Sequence, residues 1–67
     1  MKLTWQDAED IAGDLLERYP QMDPLSVDLE SLQKMVTGLP RFGDDPLAAT
    51  NRLLEAIQGA WYDKFED

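Results

Sequence analysis

"TWQDAEDIAGDLLERYP" (residues 4–20) carries the reading on which the fold depends. Trp5, Ala8, Ile11, Ala12, Leu15, Leu16 and Tyr19 recur every three or four residues, the period of an α-helix with one apolar side. Asp7, Asp10, Asp14 and Glu17 keep the same period and fall on the opposite side. Thr4 suits the N-cap, with Asp7 where a capping box usually carries Glu. Pro20 ends the segment, because the residue before a proline disfavours helical dihedrals. The stretch predicts a helix from Trp5 to Tyr19, packed on one side and lined with like charges on the other. Each neighbouring like pair at that spacing costs a helix roughly 0.2–0.5 kcal/mol, so the row asks for an explanation.

Downstream, "QMDPLSVDLE" (residues 21–30) reads as a turn, with Asp23-Pro24 opening a turn or short 3₁₀ segment and Val27 in an extended stretch. A second helix is predicted from Leu29 to Thr37, with Asp28 as N-cap and Leu29, Leu32, Met35, Val36 and Leu39 on its apolar side. "TGLPRFGDDP" (residues 37–46) is a second break, punctuated by Gly38, Pro40 and Gly43, with Phe42 as a plug into the core. The third helix is predicted from Pro46 to Phe65, with Asp45 as N-cap and Pro46 in the first helical position. Leu47, Thr50, Leu53, Leu54, Ile57, Ala60, Trp61 and Phe65 trace its buried side. The expected architecture is mainly α: three helices around one core with short extended connections, in a single domain spanning residues 1–67. The core is expected to hold Trp5, Ile11, Leu15, Tyr19, Leu32, Val36, Phe42, Leu54, Ile57 and Trp61.

The 67 residues contain neither Cys nor His. That removes thiolate catalysis, thiolate-held zinc or iron–sulfur clusters, and the commonest neutral-pH acid–base group. Oxygen is the ligand type left for a metal, apart from weakly coordinating Met. Fourteen acidic against six basic residues give a formal net charge of −8. A field of that sign repels phosphate backbones and anionic lipid and attracts cations and basic protein surfaces. No apolar run approaches the roughly 20 residues of a membrane span, and no secretory signal is evident. Ser26 and Ser31 have no His to activate them, and a chain this short offers little room for a carboxylate pocket, so an enzyme is not expected.

Read as a solvated helix side, the acidic row is explained only in its first two turns, where Asp7, Glu9 and Asp10 complement the positive end of the helix dipole. Asp14 and Glu17 lie toward the wrong end. Arg18, four residues after Asp14, is expected to neutralise part of the row. The remaining reading is a docking surface or a weak cation site. Asp44 and Asp45 add two further acids before the third helix. The twelve residues from Asp44 to Glu55 end in Glu but are no EF-hand, since Pro46 and Ala48 occupy ligand positions and Ala49 stands where Gly is required. Gln58 and Tyr62 fall off the apolar stripe of the third helix and are read as surface contact residues.

Leu3, Trp5 and Asp7 are followed in order by Tyr19-Pro20, Asp23-Pro24, Phe42, Asp44-Asp45-Pro46, Asn51, "LEAI" at residues 54–57, Trp61 and Asp63. This ordered set resembles the IscX (YfhJ) family, small acidic proteins of bacterial iron–sulfur cluster assembly, over essentially the whole chain. The resemblance implies a modified winged-helix fold, a cytoplasmic monomer and no catalytic activity. It also implies docking of an acidic surface on a basic patch of the cysteine desulfurase IscS, in competition with the frataxin homologue and ferredoxin and with the scaffold IscU as a further partner. Ferrous iron would be held weakly by carboxylates, without a cluster, making the protein an iron-dependent adaptor or regulator; a weak ferrous-iron carrier is the alternative. The acids matching the family pattern are Asp7, Asp23, Asp44, Asp45, Glu55 and Asp63, and the helical period adds Asp10, Asp14 and Glu17. The partner-binding set is therefore Asp7, Asp10, Asp14, Glu17, Asp44 and Asp45, and the iron-binding set Asp7, Asp10, Asp14 and Asp44. Two departures stand out: the middle helix, "DLESLQKMV", lacks the His of family members, and Lys64 stands where an acid is common.

Overall fold

A computed structural model describes residues 2–66. Among the described residues the chain forms three α-helices, α1 (Ala8–Arg18), α2 (Leu29–Thr37) and α3 (Asn51–Glu66), with a 3₁₀ turn at Pro24–Ser26 between the first two. Helices α1 and α3 form the main packing pair, and α2 closes the core against them. Among the described residues, the extended connections amount to one parallel β-bridge between Leu3 and Phe42, and no strand pair forms a wing.

Helix α1 begins three residues later than its apolar period predicts. Trp5 and Gln6 form a turn, and the Asp7 N–H donates to the Thr4 carbonyl at 2.9 Å. Thr4 does not cap the helix. The Asp7 carboxylate instead accepts from the Thr4 N–H at 2.9 Å and from its hydroxyl at 3.2 Å, the backward half of a capping box. The cause is Trp5, whose indole is needed elsewhere. Helix α2 matches its expected bounds, with the Asp28 carboxylate accepting from the Ser31 N–H at 3.3 Å.

Helix α3 starts at Asn51, not at Pro46, and its cap is Thr50, whose hydroxyl oxygen accepts from the Leu53 N–H at 3.2 Å. Residues 45–47 are held in a separate turn. The Asp45 carboxylate accepts from the Leu47 N–H at 3.0 Å, and the Asp45 carbonyl is occupied by the Ala48 N–H at 3.1 Å and by Trp5 Nε1 at 2.6 Å. That carbonyl would have to accept a helical N–H for α3 to begin at Pro46. Leu47 consequently points outward, 86 % exposed, and Thr50 is exposed as well, against the expectation that both are buried.

The core contains Trp5, Ile11, Leu15, Leu32, Val36, Leu54, Ile57 and Trp61 as expected; Tyr19 and Phe42 are half-buried and pack against it. Leu3 and Pro24, fully buried, join them from segments too short to show a period. Trp61 Nε1 is buried with no partner among the described residues. An orphaned donor costs about 1–3 kcal/mol, whereas an indole burying roughly 200 Å² at about 25 cal/mol per Å² contributes about 5. Burial wins. Gln58 is not a surface contact residue: its amide donates to the Pro24 and Val27 carbonyls at 2.8 and 2.9 Å and ties the 3₁₀ turn to α3. Tyr62 bonds instead to the Glu66 carboxylate within α3.

Two measurements check these caps. Thr50→Ala lowers unfolding free energy by about 1 kcal/mol in urea titration, whereas Pro46→Ala, outside the helix, does not produce a loss of that size. Hydrogen bonding from Ser31 stabilises the charged form of Asp28 and holds its carboxyl below the ordinary value. A lowered native pKa means that this stabilisation is complete above the unfolded value of about 3.9 and is lost as pH falls through the native one. Asp28→Asn therefore flattens the stability profile below about pH 4.

Candidate functional site

The outward side of α1 presents the acidic row, and the fold gives its members different surroundings. Asp10 and Glu17 are exposed, with no hydrogen-bond or ion-pair partner among the described residues. Asp14 between them is gripped by Arg41, whose Nε and Nη2 donate to the two carboxylate oxygens at 2.9 Å each. This is the forked geometry in which guanidinium best matches carboxylate. Arg18, the expected neutraliser, lies instead 6.0 Å from the centre of the Tyr19 ring. The Arg41 pKa is raised by the hydrogen bond and charge of Asp14, and in lesser degree by the charges of Asp10 and Glu17. One cation thus answers three acids.

The other sequence-predicted acids have local duties. Asp7 holds Thr4 at the entrance to α1. The two carboxylate oxygens of Asp44 accept from the Trp5 N–H at 3.2 Å and the Asp45 N–H at 2.7 Å, and Asp45 holds the Leu47 turn. Glu9 lies 3.5 Å from Lys64 and links α1 to α3, so the basic residue in the tail braces the bundle. Charge is uneven between helices. With its cap, α1 has five carboxylates against Arg18 and the Arg41 that reaches it; α2 and α3 carry Lys34, Arg52 and Lys64 among their acids.

Beside the ion pair, Leu39 and Pro40 floor a shallow groove of about 320 Å³ walled by Asp14, Glu17, Arg18 and Arg41. Arg41 is the residue that sequence reasoning missed. It lies 27 positions from Asp14, in a loop with no period, and no local signal joins the two.

The expected iron ligands Asp7, Asp10, Asp14 and Asp44 are not gathered into one site. Among the described residues no three acidic, His or Cys side chains come together in a group able to hold a metal ion. Oxygens of Asp7 and Asp44 already accept backbone N–H groups, and Asp14 faces a guanidinium. The residues present do not fit a preformed iron centre.

If Arg41 is what makes the row tolerable, Arg41→Gln leaves helix content unchanged but makes stability depend on salt. Its thermal midpoint falls most at low ionic strength and recovers toward the wild-type value near 0.3 M NaCl, where the Debye length is roughly 5–6 Å. A wild-type midpoint varies less over the same range.

The iron–sulphur cluster assembly family model matches residues 3–66, nearly the whole chain. The chain is also 42 % identical over 64 residues to the uncharacterized protein PA3808 of Pseudomonas aeruginosa, a match that covers 96 % of this chain and 97 % of that protein. Both matches run through α1, the Arg41 loop and α3 together. The chain belongs to the iron–sulphur cluster assembly family, that of IscX (YfhJ).

Proposed function

We propose that the protein is a non-catalytic adaptor of iron–sulfur cluster assembly that docks the outward side of α1, with Asp44 and Asp45 beside it, on a basic patch of the cysteine desulfurase IscS. The observation that carries this reading is the pair Asp10 and Glu17, exposed and unpartnered among the described residues on either side of the Asp14–Arg41 clamp. Inside the fold these two charges act on Arg41 only at a distance and through no direct bond, whereas a basic surface gains both attraction and orientation from them. Occupying that patch places the protein in competition with the frataxin homologue and ferredoxin, and leaves the scaffold IscU free to join a ternary complex. Regulation then consists of controlling who sits beside the desulfurase.

Ferrous ion enters this proposal as a modulator. Held loosely near exposed carboxylates, it lowers the negative field of α1 and with it the attraction to a basic partner. A carrier role is less favoured, because a carrier needs the converging ligands that the described residues do not supply.

Binding of purified IscS by calorimetry tests the docking reading. Affinity falls steeply between low salt and 0.3 M NaCl. Asp10→Lys combined with Glu17→Lys lowers it by about tenfold or more at low salt while the helical circular dichroism stays intact. Wild-type affinity in that double variant contradicts the reading.

A further inference from the structure

Leu47 is 86 % exposed, more than any other large apolar side chain among the described residues. It is also held in place. Trp5 Nε1 donates to the Asp45 carbonyl at 2.6 Å, Gln33 Nε2 donates to the Pro46 carbonyl at 2.6 Å, and the Leu47 N–H donates to the Asp45 carboxylate at 3.0 Å. Two of these three fastenings come from outside the turn, one from a buried indole and one from α2. A leucine on a loose loop tip needs no explanation. An apolar side chain whose backbone is ordered in advance loses little further freedom when it is covered, which is the property of an interface anchor.

The surroundings of Leu47 say what covers it. Asp44 and Asp45 precede it, and along the chain no basic residue occurs between Arg41 and Arg52, the Lys2 side chain lying further back against Gly43. With a chain net charge of −8, an anionic membrane and a second copy of the chain are both repelled. A concave apolar spot ringed by Lys or Arg on another protein satisfies the leucine and the two aspartates together. We infer that Leu47 is an apolar anchor that inserts into a Lys/Arg-rimmed pocket of the basic protein on which α1 docks. This inference rests on the docking reading above and deepens it: the acidic row supplies long-range, salt-sensitive attraction, and Leu47 supplies a short-range grip that salt does not screen.

Binding to IscS is measured for the wild type, Leu47→Ser, Leu47→Met and the Asp10→Lys/Glu17→Lys variant, at low salt and at 0.3 M NaCl. Leu47→Ser loses affinity about tenfold at both salt concentrations with an unchanged thermal midpoint, whereas Leu47→Met stays within a few-fold of wild type. Wild-type affinity in Leu47→Ser overturns the anchor and leaves the docking face standing. Failure of the wild type to bind at low salt sinks the docking reading, and the anchor with it. Sedimentation of the wild type as a dimer that Leu47→Ser converts to a monomer overturns the inference by assigning Leu47 to self-association.

Discussion

The way Trp5 is held governs much of this structure. Its N–H reaches the Asp44 carboxylate, its indole Nε1 reaches the Asp45 carbonyl at 2.6 Å, and its ring meets Phe42 edge-on with centroids 4.7 Å apart. Next to it, Leu3 exchanges backbone hydrogen bonds with the same loop, donating to the Arg41 carbonyl at 2.7 Å and accepting from the Gly43 N–H at 2.9 Å. Residues about 40 positions apart are thereby joined by polar groups in partly buried surroundings, where unmade bonds are costly. The consequences reach outward. Helix α1 cannot start before Ala8, α3 cannot start at Pro46, and the loop between α2 and α3 is pinned along the beginning of α1.

That pinned loop sets the character of the surface. It delivers Arg41 to Asp14 and so relieves the middle of the acidic row, while Asp10 and Glu17 at its flanks remain solvated. The acids of the chain accordingly divide by environment and not by sequence motif. Asp7, Asp28, Asp44 and Asp45 accept backbone hydrogen bonds at turns and caps, Glu9 and Asp14 meet cations, and Asp10 and Glu17 are left to the solvent. A net charge of −8 on 67 residues is thus a structural resource first, with a smaller part of it left for partners.

The helices were legible in the sequence wherever a periodic apolar side and a local cap coincide, as in α2 with Asp28 before it. The period misleads where a residue obeys it but is claimed by a distant group. Trp5 continues the apolar stripe of α1 yet sits outside the helix, because Asp44 and Asp45 hold it. Pro46 is well suited to begin a helix, yet the carbonyl before it is occupied. The acidic side of α1 was readable from spacing alone. Its clamp was not, since Arg18 is near in sequence and Arg41 is near only in space. Gathering the iron ligands across segments was likewise beyond spacing, and the fold keeps Asp7 and Asp44 at their own turns.

A three-helix core with one densely acidic helix suits an accessory protein of cluster assembly, a family to which nearly all of the chain is matched. This helix, braced by Arg41 and flanked by the pinned loop, is the surface we propose for docking on a basic desulfurase. Amide shift mapping of the ¹⁵N-labelled protein during titration with unlabelled IscS is the most direct check. Broadening and shifts are expected at residues 9–18 and 41–48, with α3 amides at Glu55, Gly59 and Asp63 little changed. Perturbations confined to the outer side of α3, with Asp10 and Glu17 unaffected, would rule out docking through α1.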